Sequence, residues 1–202
     1  MPKKVDHQQR RLAISAQVEQ LVLEKGVEGL TMRDVARAMG CSLSVILHYF
    51  DSKLALLVFT HRQVRLRAEA ALLRRQSAGA PLRECLENLL PLDEARWRDW
   101  HTWLAFFGMS AHSASAAEEN TAALSASAEV FARLIRREQT EGRLPPALSP
   151  EALAVALQIQ INGIASLVAQ DRAAWPAARQ LATFGALFAA LTQGCGGGLR
   201  RG

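Results

Sequence analysis

Three cysteines, Cys41, Cys85 and Cys195, stand far apart in 202 residues with no CxxC or CxxH spacing, which excludes a disulfide framework and a zinc-finger ligand set. Strand patterning is missing too, since no alternation of apolar and polar residues competes with the helical period. There is no glycine-rich phosphate loop and no Gly-x-Ser-x-Gly elbow. Asp99 and His101, two apart, diverge on a helix and make no catalytic dyad. His101 and His112, eleven apart, are separated by about 16 Å along a helix and cannot share a metal. No catalytic residue, metal or cofactor is therefore expected. No apolar segment follows the lysines of the opening MPKK, because Asp6 to Arg11 is polar, and no uninterrupted apolar run approaches about 18 residues. The expectation is a soluble, cytoplasmic chain with no membrane partner.

What the chain has in plenty is alanine and leucine at helical spacing. Half of its residues are hydrophobic, enough for one or two compact domains. The formal charge of +5 is compatible with a polyanionic partner without requiring one. Lys3, Lys4, Arg10 and Arg11 form a basic edge, and Arg62, Arg65, Arg67, Arg74 and Arg75 follow further on, a pattern that spacing alone reads as a solvated helix face.

Leu12, Ile14, Val18, Leu21 and Val22 recur at helical spacing from His7 to Gly26, with Gly26 as the stop. Thr31 and Asp34 stand in the register of a capping box that opens a short helix from Met32 to about Met39, which Gly40 ends. Ser42 is placed to cap a third helix through about Phe50, and Asp51-Ser52 separates it from a longer one over Lys53 to about Gln76. Two short helices joined across Gly40-Cys41-Ser42 are a helix-turn-helix, whose second helix enters a major groove while the first braces it. Ile46 and Phe50 are four apart and anchor that helix. Ser42, Leu43, Ser44, Leu47, His48 and Tyr49 remain to read DNA, with Thr31 and Lys53 at phosphates. Leu43 and Leu47 would offer apolar contact to thymine methyls.

The stretch LTMRDVARAMGCSLSVILHYFDSKLALL resembles the N-terminal domain of the TetR family of bacterial repressors, in its Thr cap, Val-Ala core pair, Gly-Cys-Ser turn and His-Tyr-Phe-x-x-Lys ending. It departs from the family pattern at Leu43, where a polar or basic residue is common, at Ser44, where Gly is frequent, and at Leu47, where Tyr is frequent. The departures bear on the operator sequence, not on the fold.

Beyond the Gly79-Ala80-Pro81 break, helices are expected over Leu82–Leu90, Asp93–Ser113, Ala116–Glu141, Pro150–Gln170 and from Trp175-Pro176 to Gln193, ahead of a glycine-rich tail from Cys195 to Gly202 taken as disordered. Ser149-Pro150-Glu151 is a cap followed by proline at the first helical position. In ARWRDWHTWLAFFGMSAH, Trp97, Trp100, Leu104 and Phe107 fall on one stripe, and Trp103 and Phe106 define a second. Such rings serve either as core or as the wall of a ligand cavity. PLDEARWRDWHTWLAFF also resembles the BetI-like subgroup, named for a choline-responsive repressor, and a cation–π cage is what that resemblance suggests. The last two helices are apolar on several sides, so burial against a second copy is expected, with Gly163 and Gly185 allowing close backbone approach and Gln158, Gln160 and Asn162 lining the pocket or the interface.

The sequence thus predicts an all-α chain of about nine helices, with a helix-turn-helix domain over 1–53, a linker helix over 53–76, and an effector-binding and dimerisation domain over 54–194. The resemblance implies a homodimeric repressor of a palindromic operator. An apolar or cationic small molecule, bound among Trp100, Trp103, Phe106, Phe107 and Asn162, would relieve repression. The competing readings are a nucleoid-type DNA-binding protein without regulation and, less favoured, a small-molecule enzyme.

Overall fold

The computed structural model describes residues 6–111 and 113–193, so His112, Cys195, the opening lysines and the tail lie outside the described residues. Among the described residues there are nine helices and no strand. They are α1 (His7–Gly29), α2 (Met32–Ala38), α3 (Leu43–Tyr49), α4 (Lys53–Ser77), α5 (Leu82–Glu87), α6 (Glu94–Met109), α7 (Ala114–Thr140), α8 (Pro150–Gln170) and α9 (Ala177–Gln193). The chain forms two compact units. The first holds residues 1–67 and 98–121, the second 68–97 and 122–202, so the division falls within α4, α6 and α7.

In the first unit, Ile14, Val18, Val22, Val35, Ile46, Phe50, Leu56 and Leu57 form one buried core with Phe106 and Ala116. Each such side chain removed from water stabilises the fold by about 1.5–3 kcal/mol. The local signals work largely as expected. Thr31 Oγ1 accepts the Asp34 amide at 3.1 Å, and the Asp34 carboxylate accepts the Thr31 amide at 3.0 Å, so the capping box is reciprocal. Gly40 takes φ +62, a left-handed conformation open to glycine at little cost, and turns the chain from α2 into α3.

Gly26 stops the first helical run of α1 as expected, with φ 71 and ψ 169, and a short further helical turn continues to Gly29 so that Val27 reaches the core. Two expectations need correcting. Leu12 is exposed, not buried. Ser42 holds the N-cap position without capping, because its hydroxyl pairs with that of Ser44 at 2.8 Å.

The second unit packs α9 against α8 and α5. Ser149 Oγ accepts the Ala152 amide at 3.3 Å, capping α8 ahead of Pro150. Leu153, Leu157, Ile161, Ile164 and Val168 make the buried face of α8, and Phe184 is buried on α9. By length and mean composition α8 could cross a bilayer, although Gln158, Gln160 and Asn162 interrupt its apolar sequence. Gln158 donates to the Leu124 carbonyl at 3.0 Å, which ties α8 to α7 within this unit. Within the single chain Gly163 faces open space, and Gly185 is covered by the Arg83 guanidinium.

Candidate DNA-binding and effector sites

The α3 helix divides cleanly. Ile46 and Phe50 point into the core, while Ser44, Leu47 and His48 lie exposed at three- and four-residue steps on the other side, with Ser42 just ahead of them. Leu47 is 43% exposed, an outlay of apolar surface that a core-packing role would not leave open. Leu43 and Tyr49 are half-buried at the edges of this face.

His48 and Tyr49 meet edge-on with centroids 5.2 Å apart, and His7 of α1 packs on both, at 5.7 and 5.5 Å. The start of α1 is therefore placed beside the reading face. Lys53 is half-buried and donates to the Glu28 carbonyl at 3.3 Å. Thr31 is exposed at the mouth of α2. Lys25 is bonded to Asp34 at 2.8 Å, and that ammonium, followed by the Thr31 hydroxyl, holds the Asp34 carboxyl far below its ordinary range.

Arg33 and Arg37 of α2, absent from the expected contact residues, are exposed cations, and Arg37 keeps only a 3.7 Å contact to Asp34. Arg11, by contrast, leaves the expected basic edge. Its guanidinium lies over Phe50 and Phe59, at 4.9 and 4.5 Å from the ring centroids. The later arginines are not simply solvated either. Arg62 grips Glu119 through three hydrogen bonds of 2.9–3.2 Å, and Arg67 binds both Glu19 and Asp99.

The aromatic residues of α6 separate into roles. Trp103 and Phe107 stack with centroids 5.4 Å apart and planes within 12°, and Trp100 meets Trp103 edge-on at 5.3 Å. Phe107 remains exposed, whereas Phe106 is buried in the same core as the helix-turn-helix and stacks on His61 of α4 at 4.3 Å. These four rings belong to the first unit. Asn162 belongs to the second, on α8, where its carbonyl accepts the Ser166 hydroxyl at 2.8 Å. His61 is fully buried, and burial is the main cause that pushes its pKa down to about 4. Among the described residues no cluster of His, Cys, Asp and Glu could hold a metal ion.

A three-helix DNA-binding motif followed by a helical domain defines a class: the one-component helix-turn-helix regulators. Residues 16–58 match the bacterial regulatory proteins of the tetR family, and residues 78–193 match the BetI-type transcriptional repressor C-terminal family. The chain belongs to the TetR family, in its BetI-type subgroup. A curated relative, the HTH-type transcriptional regulator PksA of Bacillus subtilis (strain 168), is 30% identical over 116 residues; the match spans 55% of this chain and only 57% of that relative. Among solved structures, a transcriptional regulator from Rhodococcus sp. Rha1 superposes with a TM-score of 0.80 at 25% identity, covering 91% of this chain and 96% of that one. A regulator from Saccharomonospora viridis in complex with choline gives 0.76 at 20% identity, covering 89% and 95%, and shares the fold. These relatives are transcription regulators.

Proposed function

We propose that the protein is a cytoplasmic, homodimeric repressor that binds a palindromic operator through α3 and leaves it when a small molecule binds in the effector domain. The observation that carries the reading is the split of α3 into a buried anchor, Ile46 and Phe50, and an exposed face of Ser44, Leu47 and His48. Thr31, Ser42, Leu43, Tyr49 and Lys53 flank that face. The polar members are suited to phosphates, and the leucines to thymine methyls. With two copies related by a two-fold axis, the half-sites lie about one helical turn, roughly 34–36 Å, apart.

Dimerisation is read from α8 and α9. Val155, Ile159 and Leu167 form an exposed apolar stripe with Gly163 at four-residue steps, and Leu187 adds to it from α9, beside exposed Ala178, Ala182, Ala186 and Ala190. A surface of this kind on two packed helices fits a self-complementary four-helix interface.

For the effector, Trp100, Trp103, Phe106 and Phe107 supply the aromatic part of the site. The choline complex of the Saccharomonospora viridis regulator makes a cationic ligand one candidate class, and an apolar one the other. Phe106 shares a core with Ile46 and Phe50, so a ligand that moves α6 disturbs the seat of α3. The shift in DNA binding equals the difference in ligand affinity between the two states, about 1–3 kcal/mol in typical regulators.

The test is operator selection from a random DNA pool, followed by titration of the selected site with each hit from a thermal-shift ligand screen. A regulator binds one palindrome at least a thousandfold more tightly than bulk DNA, on the scale of about 10³–10⁷ for specific sites. A uniform affinity for all sequences would favour a nucleoid-type protein instead. Trp103→Ala should abolish the ligand response and leave unliganded DNA binding intact.

A further inference from the structure

Buried polar atoms almost always find a hydrogen-bond partner, and leaving one without costs about 1–3 kcal/mol. The helices α4, α6 and α7 break this rule together inside the first unit. Both ring nitrogens of His61 are buried without a partner, as are Thr102 Oγ1 and Asn120 Oδ1. All three residues are more than nine-tenths buried: His61 is 0% exposed, Thr102 4% and Asn120 3%.

Their helices are joined at this level. His61 stacks on Phe106, one turn along α6 from Thr102. Arg62, next to His61, holds Glu119, next to Asn120. The Asn120 amide nitrogen reaches Ser110 Oγ, just past the end of α6.

A ready local remedy exists for one of them and is not used. Buried Thr60 and Thr192 turn their hydroxyls onto the carbonyl four residues earlier, both within 2.9 Å. Thr102 does not, although the same carbonyl position is open to any helical threonine. Three such groups, set among Trp103 and Phe106, call for something that both donates and accepts.

Charge decides which ligand suits them. The carboxylates of this region are already committed, Glu119 to Arg62 and Asp99 to Arg67. A quaternary ammonium has no hydrogen to donate and no lone pair to offer, so it would leave all three residues unsatisfied. A carboxylate could not pair with Asn120 Oδ1, which accepts only. A hydroxyl or primary amide on a flat aromatic body satisfies acceptor and donor together, and its ring extends the existing stack of Trp103 and Phe107.

Building on the proposed effector-relieved repression, we infer that His61, Thr102 and Asn120 form the hydrogen-bonding floor of the effector site and select an uncharged aromatic alcohol or amide over a quaternary ammonium.

The test titrates the full-length protein calorimetrically with phenol, benzamide and tetramethylammonium, and follows the ¹⁵N signals of His61 in histidine-labelled protein. Phenol or benzamide should bind at least about tenfold more tightly than tetramethylammonium and shift the imidazole signals. His61→Phe, Thr102→Val and Asn120→Leu should each lose about tenfold or more in that affinity, the worth of one hydrogen bond. The last two nearly preserve shape, so they keep the test decisive if His61→Phe fails to fold. Unchanged affinity in Thr102→Val and Asn120→Leu would overturn the assignment. So would tighter binding of tetramethylammonium, or His61 nitrogens that report bound water and no response to any probe. If tetramethylammonium weakens operator binding equally in wild type and variants, effector control stands and this site falls. If phenol or benzamide binds in a His61-dependent manner without weakening operator binding, the site stands and its control of DNA falls.

Discussion

Arg67 on α4 grips Glu19 of α1 with two hydrogen bonds, of 2.9 and 2.8 Å, and the same guanidinium reaches Asp99 of α6. One side chain thereby ties the first helix of the DNA-binding motif to the helix that carries the aromatic residues. Glu19 is almost fully buried, and Arg67 is the cation paired with its carboxylate. Arg67→Met keeps the aliphatic stem and strands the carboxylate. The expected loss is about 1–3 kcal/mol, below the range for fully buried pairs because Arg67 is half-exposed. Urea denaturation measures it, and adding Glu19→Gln should restore part of the loss. A double variant no more stable than Arg67→Met would contradict the pairing.

His61 makes stability pH-dependent in a defined window. Burial is the largest cause that lowers its pKa from 6.5 to about 4; Glu119 opposes the shift, and Arg65 and Arg62 reinforce it. Above about pH 6.5 the ring is neutral in both folded and unfolded chains. As the pH falls from there toward about 4, the unfolded chain binds a proton that the folded one refuses, and stability drops by up to about 3 kcal/mol. Chemical denaturation of wild type and His61→Phe across pH 4–7 isolates this component. Parallel curves for the two proteins would show that His61 does not carry it.

On the DNA face, Arg37 and Leu47 should behave differently. Arg37→Gln removes one exposed cation, so it should weaken binding to all sequences alike and reduce the salt slope by about one unit. Leu47→Ala should relax discrimination at a single base position by about 1–3 kcal/mol and leave the slope alone. Fluorescence anisotropy on the selected operator and its point variants, at several salt concentrations, separates the two. Lys53→Ala should resemble Arg37→Gln. A loss confined to one base position would contradict its assignment to phosphate.

The apolar stripe on α8 predicts the oligomeric state. Ile159, 65% exposed in the single chain, sits at its centre. Ile159→Arg or Leu187→Arg would bury an unpaired charge at an interface, costing several kcal/mol, on the order of 3–5. Sedimentation should show dimers for wild type and monomers for both variants at micromolar concentration, with helical content unchanged. A wild-type monomer would remove the interface.

The features legible in the chain are those governed by a few neighbouring residues. Thr31 and Asp34 find each other because three helical positions bring them together, Gly40 turns the chain because it alone tolerates φ +62 at little cost, and Ser149-Pro150 starts α8 through its own cap. Those local signals place the nine helices of the described residues and the motif on which the family assignment rests. Partners distant in sequence are a different matter. Spacing puts adjacent Phe106 and Phe107 on different stripes of α6 without telling which stripe is core, and only the packing buries Phe106 on His61 and leaves Phe107 exposed. Arg11 reads as a surface cation and ends over two rings, while Arg67 reads as part of a solvated run and ends on a buried glutamate. His61 gives no sign of itself along the chain, because its unpaired nitrogens follow from the side chains that three separate helices bring around it. Local hydrogen bonds and backbone preferences act over one helical turn and can be read residue by residue. Burial and charge pairing depend on which faces meet, and that is settled when the helices pack.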